Sequence, residues 1–121
     1  MIFFSEPPVI NEALTSSDTT IDELQRVSLR CVTSGHPTPN VTWRRENDKE
    51  LNLGPGKTSH QKVWEGSFLN ISQAKREDMG PYLCIAANGV LPSVSKRIVL
   101  QINCKFFYFS TFLRFYFYIF L

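Results

Sequence analysis

Two cysteines, a tryptophan and a tyrosine restrict the fold of this chain more than any other feature. Cys31 and Cys84 lie 53 residues apart, and each is central to a short apolar run. Trp43 follows the first cysteine by twelve residues, and Tyr82 precedes the second by two. The runs around them alternate with period two: Val27, Leu29 and Cys31; Val41 and Trp43; Leu69 and Ile71; Tyr82, Cys84 and Ala86; Ile98, Leu100 and Ile102. Alternation of this kind marks strands with one buried face. The breaks are turn chemistry: Ser34-Gly35-His36-Pro37-Thr38-Pro39, Asn52-Leu53-Gly54-Pro55-Gly56 and Asn88-Gly89. No stretch sustains a 3.6-residue apolar period, and Ser72–Met79 is short enough to be a turn crossing between sheets. The expected fold is an all-β, antiparallel two-layer sandwich. Inward positions of its two layers can meet, so a Cys31–Cys84 bridge can pin the sheets with the Trp43 indole beside it. The Tyr82 hydroxyl can return to backbone where the chain changes sheets.

The run Asp78-Met79-Gly80-Pro81-Tyr82-Leu83-Cys84, with Cys31 and Trp43 before it, resembles the hallmark of an immunoglobulin domain. The short stretch from Trp43 to Cys84 leaves no room for an extra pair of strands, so the domain is similar to the intermediate (I-set) type. Further segments carry a narrower resemblance: Gly35-His36-Pro37-Thr38-Pro39, Trp43-Arg44-Arg45-Glu46, Leu69-Asn70-Ile71-Ser72, Met79 to Val90, and Pro92 to Arg97. They resemble the second of three immunoglobulin domains in the lachesin family. That family includes the neuronal defective-proboscis-extension-response-interacting proteins and, more distantly, the IgLON group. The resemblance covers about Pro7 to Ile102. Pro81 and Leu91 depart from it, where a small residue and a proline are expected. It implies a Cys31–Cys84 disulfide, a structural Trp43, and a corner fixed by Asp78, Gly80 and Tyr82. It also implies a non-catalytic module of a cell-adhesion protein on the extracellular face of the plasma membrane. Its partners would be other cell-surface immunoglobulin-superfamily proteins, met through a neighbouring domain while this one acts as a glycosylated spacer. Two alternatives from other classes are an accessory domain of a receptor enzyme and an intracellular muscle-type repeat.

Two N-glycosylation sequons are present, Asn40-Val41-Thr42 and Asn70-Ile71-Ser72. Both asparagines neighbour inward residues, so alternation points their amides to solvent. Asn40 follows a proline at the start of a strand, where access is tighter.

Catalytic and ligand chemistry finds little support. Gly56-Lys57-Thr58 matches the end of a phosphate-binding loop, but the first glycine of that motif would fall at Leu51 and no long helix follows. His36 and His60 are isolated, and three cysteines without a C-x-x-C make no zinc site. No cofactor is implied. Every acidic residue precedes Cys104, and Lys105 and Arg114 supply the net charge of +2, so the body is neutral. A nucleic-acid partner is not expected from such a balance. Arg44-Arg45 and Lys96-Arg97 form either a basic patch on one sheet or solvated charges beside Glu46, Asp48 and Glu50. Trp64 either packs under the Trp43 side of the core or lies exposed at an interface.

The ends differ from the body, dividing the chain into an extension (1–6), the domain (7–103) and an aromatic-rich apolar tail (104–121). Met1-Ile2-Phe3-Phe4-Ser5 is too short for a signal sequence, whereas a cysteine pair of this type needs an oxidising compartment. The expectation is a fragment that begins elsewhere. Ten of the aromatic residues lie between Phe106 and Phe120. As a helix, the sixteen residues from Phe106 would span about 24 Å against a hydrocarbon core of about 30 Å, with Arg114 inside. Three readings of the tail stand together. It is translated intron, since its residues have AT-rich codons and Cys-Lys accommodates a splice donor; or a marginal membrane segment; or a soluble tail prone to aggregation. Under the first, Cys104 is an accidental unpaired thiol. Membrane attachment is left open.

Overall fold

The structure is a computed structural model that describes residues 4–54 and 61–104. Among the described residues nine strands follow in order: β1 (Glu6–Ile10), β2 (Thr19–Asp22), β3 (Val27–Arg30), β4 (Thr33–His36), β5 (Asn40–Arg45), β6 (Trp64–Glu65), β7 (Phe68–Ile71), β8 (Gly80–Ala87) and β9 (Val94–Asn103). A single 3-10 turn, Arg76–Asp78, lies between β7 and β8. The helix-like stretch Ser72–Met79 is thus the crossing between layers that its length suggests.

One layer is a five-stranded sheet in the order β2-β9-β8-β5-β6. The other consists of the antiparallel pairs β1–β4 and β3–β7. Its two pairs are joined because β3 and β4 are nearly one strand, interrupted at Cys31 and Val32. Hydrogen bonds bridge the gap, from Cys31 N–H to Ser67 O (2.9 Å) and from Asn11 N–H to Val32 O (2.8 Å). The sandwich is not wholly antiparallel: β2 runs parallel to β9, with Thr19 opposite Leu100 and Asp22 opposite Asn103. After β1 the chain leaves its first layer and joins the edge of the second, where it runs alongside the last strand.

Every alternating row read from the sequence faces the core. Leu29, Cys31, Trp43, Leu69, Tyr82, Cys84, Ile98 and Leu100 are fully buried, and Val27, Val41, Ile71 and Ile102 nearly so. The pleat accounts for this, since successive side chains leave a strand on opposite faces. Burying each large apolar side chain contributes about 1.5–3 kcal/mol. Cys31 and Cys84 are bridged across the layers. Trp43 lies opposite Cys84 in the β5–β8 register, and so beside the bridge.

Trp64 takes the packed alternative. It is opposite Trp43 in the β5–β6 pair and packs against the core half-buried. Cys104 is a free, buried thiol after β9. The Gly56-Lys57-Thr58 motif, His60 and the tail 105–121 lie outside the described residues. Among the described residues no helix is long and apolar enough to cross a membrane.

Candidate functional site

The polar chemistry of the domain concentrates where the chain passes from β7 to β8. Asp78 ends the 3-10 turn with its side chain buried. Its Oδ2 accepts from the Lys75 backbone N–H (2.8 Å) and from Asn52 Nδ2 (2.7 Å). The Tyr82 hydroxyl donates to the Asp78 carbonyl at 2.7 Å, closing the corner from inside. Gly80 opens β8 with φ +130°, a conformation that a side chain rarely adopts, and an added Cβ would lie 3.5 Å from Arg45 Nη2.

Arg45 completes this corner, which corrects both readings for Arg45, whereas Arg44 stays solvated beside Asp48. It is only 2% exposed, with Nη1 donating to Glu77 O (2.8 Å) and Nη2 to Met79 O (2.7 Å). Its guanidinium lies 5.2 Å over the Tyr82 ring. No basic patch is assembled from the other three cations either. Arg44 faces Asp48 at 3.8 Å, Lys96 pairs with Glu12 at 3.0 Å, and Arg97 with Glu46 at 2.9 Å. Lys96 and Arg97 therefore meet carboxylates.

Burial pushes the Tyr82 phenol well above its ordinary value; Arg45 opposes the shift and Asp78 adds to it. Tyr82→Phe is expected to cost about 1–3 kcal/mol, because the Asp78 carbonyl loses its donor. The pH dependence follows from the raised value. The hydroxyl's contribution is complete below the unfolded phenol's pKa of about 10 and is lost as pH rises towards the folded value. Chemical denaturation should therefore show the stability gap between wild type and Tyr82→Phe narrowing above about pH 10. A gap that holds constant through that range would refute the assignment.

A second polar junction escapes sequence reading because its residue lies in a turn. Asn88 donates to Glu6 O and to Pro37 O, both at 2.8 Å, and accepts from Val90 N–H at 3.0 Å. One amide ties the first strand, the β4–β5 loop and the β8–β9 turn together. The two indoles work similarly at the β6–β7 connection, with Trp43 Nε1 donating to Gly66 O (2.9 Å) and Trp64 Nε1 to Phe68 O (3.0 Å).

Asn40 and Asn70 are both exposed, on β5 and β7. Asn70 faces Ser28 across the β3–β7 ladder, and the Ser28 hydroxyl donates to its Oδ1 at 2.7 Å. Asn40 borders a shallow cavity of about 290 Å³ lined also by Pro39, Glu65 and Ser67. A larger open cleft of about 540 Å³ lies over the corner, lined by residues of both charges that include Arg45, Lys49, Lys62, Lys75 and Asp78. His36 is exposed and stacks on Phe4, ring centroids 6.1 Å apart. Among the described residues no group of three His, Cys, Asp or Glu is placed to hold a metal ion.

Residues 7–88 match the family model described as "Immunoglobulin domain". The chain is 38% identical over 97 residues to Lachesin of Schistocerca americana, covering 80% of this chain and 26% of that protein. It is 37% identical over 89 residues to IgLON family member 5 of Homo sapiens, covering 73% and 23%. In the crystal structure of Dpr2 Ig1-Ig2 in complex with DIP-Theta Ig1-Ig3, one chain superposes with a TM-score of 0.77 at 43% identity. The match covers 82% of this chain and 33% of that one. The chain spans about a quarter of the length of the curated relatives it matches.

Proposed function

The chain belongs to the immunoglobulin domain family, and from that premise we propose that residues 7–103 form a non-catalytic, extracellular module of a cell-adhesion protein acting in neuronal or synaptic wiring. The observation that carries this reading is the likeness to Lachesin over 80% of the chain. The Cys31–Cys84 bridge across the core supports it, since such a bridge forms in an oxidising compartment. The exposed acceptors Asn40 and Asn70 agree with the extracellular face of the plasma membrane.

The partners are other cell-surface immunoglobulin-superfamily proteins, as Dpr2 is for DIP-Theta in the complex above. This domain holds an adhesive neighbour rather than binding directly. Its strand faces support a spacer role, because Arg97 and Lys96 already meet Glu46 and Glu12. Among the exposed apolar residues, Val9 and Phe68 lie on β1 and β7, and Leu24 and Leu91 in the β2–β3 and β8–β9 connections; single exposed apolar side chains are ordinary on protein surfaces. A catalytic role is not part of the reading: Arg45, Asp78 and Tyr82 direct their hydrogen bonds to the corner itself.

Two measurements test it on protein secreted from eukaryotic cells. Thiol titration in denaturant should find one reactive group, Cys104, among the three cysteines; three reactive thiols would overturn the extracellular reading. In a binding screen against immunoglobulin-superfamily ectodomains, the isolated domain should be silent, and a longer chain carrying the preceding domain should bind. Binding by the isolated domain would overturn the spacer role.

A further inference from the structure

β7 carries two outward residues on one face, Phe68 and Asn70, alternating with the inward Leu69 and Ile71. Phe68 is 49% exposed, an aromatic ring left in water on the face that holds a sequon. Two residues apart on one face of a strand means about 6.6–6.8 Å, within reach of the first sugar of a glycan on the asparagine. We propose that Phe68 is the platform for an N-linked glycan on Asn70. In this arrangement the reducing-end N-acetylglucosamine lays the C–H face of its ring against the phenyl face. The inference rests on the extracellular reading above and adds a specific carbohydrate contact to it.

Three features of the site favour that occupant. The Ser28 hydroxyl holds Asn70 Oδ1 from across the ladder, which fixes the amide and leaves Nδ2, the atom that bears the sugar, unengaged by that bond. The Phe68 backbone is held in turn, its carbonyl accepting from Trp64 Nε1. Arg30, opposite Phe68 in the β3–β7 pair, directs Nε to Leu14 O at 3.0 Å, turning its head group towards that carbonyl. An aromatic ring is electron-rich on its face and attracts the polarised C–H bonds of a sugar as it does other positive edges. The Asn40 sequon lacks this arrangement, since Thr38 stands two residues before it.

Attachment joins Asn70 Nδ2 to the anomeric carbon of N-acetylglucosamine from a lipid-diphosphate-linked oligosaccharide. The bond from that carbon to the lipid diphosphate breaks, the diphosphate leaves as the anion, and one amide proton is released. Transfer acts on the nascent chain, so the sugar–ring contact acts on the stability of the folded domain.

The test is a four-protein cycle on the full chain secreted from eukaryotic cells, extended by Phe68→Tyr with and without Ser72→Ala, with Asn70 occupancy measured by glycopeptide mapping. Ser72→Ala removes the sequon while keeping Asn70 and its bond to Ser28. In the Phe68 background it should lower Tm by about 4 °C, the shift expected of an aromatic-type contact in a domain of this size. In the Phe68→Ala background the same change should leave Tm unmoved, and Phe68→Tyr should retain the full effect. Equal shifts in both backgrounds, no shift in either, or a bare Asn70 in a secreted, bridged protein would each overturn the proposal. A readout independent of any variant is NMR of the wild-type glycoprotein. Ring-current shifts on the first sugar's protons support the contact, and their absence overturns it. Occupied Asn70 without coupling removes the contact and leaves the extracellular reading standing, whereas retention in the cell with three free thiols removes both.

Discussion

Replacing Cys31 and Cys84 together by alanine should lower the domain's stability by about 4 kcal/mol and its Tm by about 15–30 °C. The bridge closes a loop with a sequence separation of 53 residues. On the chain-entropy model, opening a loop of that length restores about 4 kcal/mol of freedom to the unfolded ensemble. The folded state loses something as well. Both sulfurs are fully buried beside Trp43, so the alanines leave space that the indole fills only in part. Set against a total of about 5–15 kcal/mol for a typical domain, the change is large enough to leave an appreciable unfolded population at physiological temperature.

The measurement is a thermal melt of wild type, the double variant and reduced wild type, each secreted and purified under the same conditions. Reduced wild type should melt near the double variant, because most of the effect resides in chain connectivity rather than in the sulfur atoms. A drop below about 5 °C in both would show that the Trp43 core holds the layers together without the bridge.

How much of this architecture can be read beforehand depends on the range of the forces involved. The inward rows are legible because the pleat imposes period two on any strand with one buried face, and Val27-Leu29-Cys31 or Ile98-Leu100-Ile102 carry that period unmixed. The outward placement of Asn40 and Asn70 follows from the same rule. Elements with little pattern of their own are not legible. β6 has two residues, too few to alternate. β2, Thr19-Thr20-Ile21-Asp22, holds one apolar side chain and takes its parallel register from the ten-residue β9 beside it. The corner is half legible. Tyr82 and Asp78 belong to a recognisable run, whereas Asn52 meets Asp78 from 26 residues away in a segment that reads as a turn.

Arg45 is the instructive miss, since its position was signalled and its chemistry argued the other way. It has the same strand parity as Val41 and Trp43, which points it inward, but a charged side chain is seldom buried unless its hydrogen bonds are met. The acceptors that meet them, the carbonyls of Glu77 and Met79, lie more than thirty residues along the chain. They converge on the guanidinium only once the 3-10 turn has formed.

Arg45→Met should therefore destabilise the domain by about 2–4 kcal/mol, measured by urea unfolding. Two opposing effects decide that figure. Taking a guanidinium out of water is costly, and the Nε of Arg45 has no partner among the described residues, so an apolar replacement recovers part of that cost. Against this, two carbonyls lose charge-assisted donors, each worth about 1.5–3 kcal/mol, and the Tyr82 ring loses a cation held 5.2 Å from its centroid. The losses outnumber the gain because the carbonyls belong to the turn that positions Asp78, whose own carbonyl receives the Tyr82 hydroxyl. Arg45→Lys should recover less than half of the deficit, since an ammonium cannot present the planar fork that spans both carbonyls. If corner and arginine act as one unit, Arg45→Met and Tyr82→Phe will be non-additive, with a coupling of about 0.5–3 kcal/mol. Strict additivity, or an Arg45→Met variant as stable as wild type, would show that Tyr82 and Asp78 hold the corner without the arginine.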